Sequence, residues 1–417
     1  MRPSRSARRC GIAATVVAMG TVLCVGATAA PGYARDLGPV LNAGSDEAIH
    51  ESYLVLFEEG KQPDLAGRYG VRVQKRYDHA LNGALVEADE AQARRLAADP
   101  SVRLVEQNTT VRRPVPGTAT QTAPLSCGLD RLDQPALPLD GSYSHPRHAA
   151  AGVDVYLLDT GIDYDHPDLR PRVKPGFDAF GGDGSDDHGN GTHMAGIIGG
   201  TEHGVAKKAT LIPVKVLNAE GGGTLDGVLA GIDWITEHAE GPSVANVVIG
   251  APASEVLDEA VRNSIAAGVT YTMSAGASTD DVANSSPARV AEGITVGSSD
   301  CADQVASFSN YGEGLDLYAP GVDITSAWPG GGTRTQSGTS VSSAHAAGVA
   351  ALFLGGHPRA TPAGVARALD CAAVAGALTG VPTAGTPNKL LQLVPAGDRR
   401  CPDGAFRTFA RHREGRC

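Results

Sequence analysis

The sequence predicts an α/β protein, a three-layer sandwich around a mostly parallel sheet, preceded by a small α+β domain. Three observations carry this. From about Ala119, short apolar strand candidates alternate with helical stretches, the pattern of a parallel sheet covered on both faces. A stretch from Ser340 to Leu354 is apolar nearly all round, as a helix at the centre of such a sandwich must be. Ahead of both, residues 51–113 hold three strand candidates and one helix, closed off by a linker of Pro114, Pro116, Gly117 and Thr118.

The chain opens on a basic cluster (Arg2, Arg5, Arg8, Arg9), an apolar run from Gly11 to Ala30 and small residues suited to cleavage, so residues 1–34 read as a secretory signal. No later stretch is apolar enough to span a bilayer. Secretion into an oxidising compartment leaves Cys127, Cys301, Cys371, Cys401 and Cys417. Cys401 with Cys417 would close a short loop in the tail; spacing does not assign the other three.

In the small domain the strands are Tyr53–Phe57, Ala84–Ala88 and Val102–Glu106. Asp89–Ala98 is helical in composition, with Asp89 as N-cap and Pro100 just past its end. In residues 119–394 the strands are Val153–Leu158, Ala209–Val216, Val244–Ile249, Val269–Ser274 and Gly293–Val296. The intervening helices are Gly191–Gly200, Leu225–Glu240 and Glu255–Ala267. Functional sites in such sheets form at the carboxyl ends of the strands. Residues 395–417 are an arginine-rich tail, read as a solvated segment. The net charge of −11 argues against a nucleic-acid partner, because phosphate binding needs a basic face.

Three segments carry chemistry. Leu157-Leu158-Asp159-Thr160-Gly161-Ile162-Asp163 presents Asp159 at a strand end. Gly191-Thr192-His193-Met194-Ala195-Gly196 opens a small-residue helix, and Ser337-Gly338-Thr339-Ser340 starts the buried one. Together with Ser307-Phe308-Ser309-Asn310-Tyr311-Gly312 and Leu317-Tyr318-Ala319-Pro320-Gly321, they resemble the subtilisin-like serine proteases, and within them the proteinase K branch. The resemblance covers 119–394, and 51–113, with Leu81-Asn82-Gly83-Ala84, is similar to the family's inhibitory propeptide. It implies a subtilisin-like sandwich in which Asp159 orients a base, Ser340 attacks and the Ser340 backbone N–H holds the oxyanion.

The chain departs from that pattern in four places. The resemblance implies a histidine directly before Gly-Thr-His, and the residue there is Asn190. An amide cannot accept and return a proton near neutral pH. It also implies an asparagine as side-chain oxyanion donor, where Ala277 stands. The substrate-lining run reads Val248-Ile249-Gly250-Ala251, and the side chains of Val248 and Ala251 would narrow the primary pocket. The opposite wall, Gly221-Gly222-Gly223, keeps the means to pair a peptide by strand addition.

The expectation is a secreted, monomeric pseudoprotease that binds its own propeptide or another peptide or protein ligand, away from nucleic acid and membrane. One alternative is an active endopeptidase with a displaced base. His188, within about 7 Å of chain reach of Asn190, is the candidate, whereas His193 and His345 match packing positions. Another is an inhibitor or chaperone acting through residues 51–113. No catalytic cofactor is expected; Asp186, Asp187, His188 and His193 lack the spacing of a zinc site. The resemblance implies a structural calcium held by the carbonyls of Ala291 and Gly293 and the carboxylate of Asp316.

Overall fold

The computed structural model describes residues 37–45, 48–112, 118–119, 126–382 and 385–394. The expected signal segment, the tail and its Cys401–Cys417 bridge lie outside these residues.

The first domain runs β1 (Ala48–Phe57), α1 (Leu65–Tyr69), β2 (Arg72–Tyr77), β3 (Gly83–Glu87), α2 (Glu90–Leu96) and β4 (Val102–Arg112). Asp89 caps α2 as expected, in a reciprocal pair of bonds with Gln92. In β1 the side chains alternate. Tyr53, Val55 and Phe57 pack in the domain's own core against Leu65 and Leu96. Leu54 and Leu56, with Tyr77, Leu81 and Leu85, join instead a core made by the second domain. Burying aliphatic side chains of this size stabilises by roughly 1.5–3 kcal/mol each, so apolar contact is the main force between the domains.

The second domain begins with β5 (Thr118–Ala119) and α3 (Cys127–Leu132). It continues through β6 (Asp154–Asp159), β7 (Phe177–Asp178), α4 (Asn190–Gly199), β8 (Thr210–Lys215), β9 (Gly222–Thr224), α5 (Leu225–His238) and β10 (Ser243–Val247). Then come β11 (Ala251–Pro252), α6 (Glu255–Ala266), β12 (Thr270–Ser274), β13 (Ser285–Ser286), β14 (Ile294–Ser299) and β15 (Leu317–Pro320). It closes with β16 (Ile324–Trp328), β17 (Gly332–Gln336), α7 (Thr339–Gly356), α8 (Pro362–Ala372), β18 (Val374–Ala375) and β19 (Lys389–Leu390). The main sheet has the order β18-β19-β15-β14-β12-β10-β6-β8-β7, and β7 to β15 run parallel. One face packs against α4, α7 and α8, the other against α5 and α6. α7 is buried for most of its length, as its small and apolar residues on every side require.

Two features tie the domains to the site. β9 adds to the small domain's sheet, whose order is β2-β3-β1-β4-β9. β5 pairs with β17, the strand leading into α7. Cys127 is bonded to Cys301 across 174 residues, and Cys371 is also disulfide-bonded.

Candidate active site

The site is assembled from the carboxyl end of β6 and the first turns of α4 and α7. Asp159 ends β6, almost fully buried, and its Oδ1 accepts from the Thr160 N–H at 2.7 Å. Asn190 is the first residue of α4 and fully buried. Its Nδ2 donates to both carboxylate oxygens of Asp159, at 2.9 Å to Oδ1 and 2.6 Å to Oδ2. Ser340 is the second residue of α7. In the first turn of a helix a backbone N–H has no intrahelical acceptor, which leaves that of Ser340 available to an anion.

The first turn of α4 is held by groups that motif reading passed over. Asp186 accepts through Oδ1 from the N–H groups of His188 and Gly189 and from the Thr160 hydroxyl. Through Oδ2 it accepts from the N–H and hydroxyl of Thr192. A carboxylate there satisfies orphan N–H groups and complements the helix dipole. Gly191 is forced by closeness: a Cβ there would lie 1.9 Å from the carbonyl oxygen of Gly161. The Asp-Asp-His-Gly-Asn run already showed an acid ahead of a helix; its five-fold use as an acceptor needed the fold.

The three histidines separate cleanly. His188 is half-buried; its Nδ1 accepts from the Asn190 N–H at 3.2 Å and its Nε2 faces Gly221. His193 is fully buried and bonds through Nε2 to the carbonyls of Arg334 and Ile324. His345 is bonded through Nδ1 to the Val341 carbonyl, and burial pushes its pKa down to about 4. The last two are packing residues, as the sequence suggested.

On one side of the cleft, β9 is already paired. Thr110, Val111 and Arg112 of β4 lie antiparallel to Thr224, Gly223 and Gly222. The glycine wall expected to accept a peptide therefore holds the chain's own segment, with Gly221 at the turn before it. On the other side a pocket of about 320 Å³ is walled by Ile249, Gly250, Ala251 and Pro252 and by the run Ser274–Ser278, with Thr110 at its edge. Val248 corrects an expectation. It does not narrow this pocket, because its side chain is fully buried in the core beneath α7. Alternation along extended backbone sends neighbours to opposite faces, so Val248 goes inward and Ile249 lines the pocket. Ala277 lines it too, without a donor. The nearby amide of Asn310 is engaged in the loop, donating to the Ala275 carbonyl and accepting from the N–H groups of Ser278 and Asp280.

Among the described residues no three His, Cys, Asp or Glu side chains gather as a metal site, so a bound cation would rely on main-chain oxygens. Asp316 suits that. Its Oδ2 accepts from the Thr295 N–H at 2.7 Å, two residues beyond Gly293, and burial pushes its pKa up to about 7. Such a carboxylate is short of positive partners, and a hard cation would supply one. Asp130 and Asp133, in and just after α3, each carry a buried oxygen without a hydrogen-bond partner among the described residues.

Comparison with known proteins agrees with this architecture. The profile of the subtilase family matches residues 150–394, and that of peptidase inhibitor I9 matches residues 42–114. The chain is 42% identical over 369 residues to an extracellular serine proteinase of Thermus sp. (strain Rt41A), covering 81% of this chain and 88% of that protein. It is 39% identical over 376 residues to alkaline serine exoprotease A of Vibrio alginolyticus, covering 85% and 70%. The crystal structure of a cold-adapted subtilisin-like serine proteinase superposes with a TM-score of 0.64 at 43% identity, covering 66% of this chain and all of that one. The chain therefore belongs to the subtilase family, with an I9-type propeptide domain ahead of its peptidase domain.

Proposed function

We propose that this chain is a secreted subtilase homologue impaired in hydrolysis, a pseudoprotease whose cleft binds peptide and is filled first by its own propeptide domain. The observation that carries the reading is the contact between Asn190 and Asp159. In an active site of this family the residue on that aspartate takes the serine proton. Here an amide nitrogen donates to the carboxylate, and an amide has no basic nitrogen to offer Ser340. Ala277 removes a second contribution, the side-chain donor to the oxyanion. What remains can bind and orient. β9 offers backbone bonds to an extended peptide, the uncharged pocket beside Ile249 takes an apolar or small side chain, and the Ser340 N–H faces the bound carbonyl.

Two independent domain contacts support the propeptide as resident ligand. The side chain of Asn108 donates to Asp226 Oδ1 and accepts from the Asp226 N–H at the start of α5. The N–H groups of His79 and Ala80 both donate to Asp233 Oδ1. Without a base the junction near Pro116–Ala119 stays uncut. We also propose that the carbonyls of Ala291 and Gly293 and the carboxylate of Asp316 hold a structural calcium ion.

A second reading, residual proteolysis with His188 as base, is favoured by the names of the relatives, which are proteinases. A fluorophosphonate probe and a chromogenic peptide separate the two. Under the first reading Ser340 labels poorly, the peptide is not turned over, and intact mass from a host lacking other proteases shows one uncut chain. Stoichiometric labelling with turnover overturns it; loss of that turnover in His188→Ala would then establish the second.

A further inference from the structure

We propose that docking of residues 37–112 on the peptidase domain is coupled to proton uptake, so that the two domains grip more tightly in mild acid than at alkaline pH. The geometry is a pair of buried carboxylates, one from each domain, meeting over one helix turn. Glu106 of β4 is fully buried; its Oε2 accepts from the Val256 N–H in the first turn of α6, and its Oε1 accepts from the Asn42 amide at 2.9 Å. Asp258, in the same turn of α6, is also fully buried. Its Oδ2 accepts from Arg289 Nε, while its Oδ1 has no hydrogen-bond partner among the described residues.

The surrounding charges do not balance this pair. Arg289 is shared with Glu255 at 2.6 Å, Arg262 lies farther off, and Arg103 is engaged by Glu259 on the same helix. The remaining neighbours, Ser254 and Ser286, are neutral; they bond one another, and Ser254 also bonds Glu106 and Ser286 also bonds Asp258, which offsets the burial of each carboxylate only in part. Separating the domains would return Glu106 to water and open the rim of Asp258, so the docked state holds a proton more firmly than the separated one. Both carboxyl groups accordingly sit above their usual range, Glu106 through burial and then the charge of Asp258, Asp258 through burial. The sign follows. A carboxyl whose pKa is raised by docking favours docking below its ordinary value and loses that contribution as pH rises through the raised one. None of this requires Ser340 to be active or inactive.

Hydrogen exchange on the full chain, corrected for intrinsic rate, tests it at about pH 5.5 and about pH 8. Amides of β4 and the first turn of α6 should be several-fold better protected in acid, while amides of β17, away from both carboxylates and from Asp316, should not change. Glu106→Gln keeps an acceptor for Val256 and should flatten the difference. Asp258→Asn should reduce it, and it carries the test if the first variant fails to fold. Equal pH dependence in the wild type and in the folded variants, or better protection at the higher pH, overturns the proposal.

Discussion

Replacing Asn190 by histidine and Ala277 by asparagine should restore hydrolysis. The side chain of residue 190 already lies 2.6–2.9 Å from both oxygens of Asp159, so an imidazole at that position has its orienting partner in place. The first turn of α4 that aims it is fixed by Asp186 and Thr160, which the substitution leaves alone. In subtilisin, removal of the base costs about a millionfold in kcat, equivalent to about 8 kcal/mol of barrier, a value that belongs to that enzyme. Loss of one oxyanion donor there costs about a hundred- to a thousandfold. Triad members act as a unit, so the terms do not multiply. Asn190→His alone should raise kcat/KM on a chromogenic peptide by at least about a thousandfold, and the double variant by about a hundredfold more. Intact mass should then show scission near Pro116–Ala119. A double variant that melts like the wild type yet gains no activity would refute the reasoning, as would a wild type already turning over at the rate of the double variant.

Calcium should matter more as pH rises. Asp316, raised to about 7, contributes stability below the ordinary carboxylate range and loses it as pH rises through that value, a swing on the order of 2–4 kcal/mol. In chelator the melting temperature should fall between about pH 5 and about pH 8, with added calcium restoring it at the higher pH, and Asp316→Asn should abolish the calcium response. Cys127→Ser opens a loop of 174 residues and should cost about 3–5 kcal/mol by denaturant midpoint, with an unchanged midpoint refuting a stabilising role. Asp186→Ala leaves several N–H groups at the start of α4 without an acceptor and should cost about 2–3 kcal/mol, read in the same assay.

Much of this was legible before the fold was seen, for local reasons. Asp159 follows a run that can only be a buried strand, and Ser340 opens a stretch that can only be a buried helix. The Asp89 N-cap is a local signal of the same kind, to which the structure adds Gln92 as the other half of a capping box, and so is the Thr361-Pro362 start of α8. β2 was missed because Arg72, Gln74 and Arg76 face outward and hide an alternation that ends at buried Tyr77. Long-range facts left no local trace. The bond between Cys127 and Cys301, the pairing of β4 with β9, and the inward turn of Val248 depend on which elements the topology brings together.

The retained residues of the site are weak evidence for retained chemistry, because each also has structural work to do. Asp159 receives the Thr160 N–H through its side chain and the Val216 and Leu217 N–H groups through its carbonyl. Asn190, by satisfying both oxygens of that buried carboxylate, removes the penalty of leaving it unpaired in the absence of an imidazole. The Ser340 carbonyl accepts from the Ser343 hydroxyl within α7, so its backbone is bound into the helix whatever its own hydroxyl does. A change from histidine to asparagine is thus one of the few that discards the base while leaving Asp159 hydrogen-bonded. Ala277 needs no such compensation, since Asn310 already ties down the loop around it. On the proposed reading, the fold gives up its chemistry at these two positions at little cost in stability. Under the proposed reading, then, the presence of Asp159 and Ser340 decides little about activity, and the Asn190 amide bonded to Asp159 decides most.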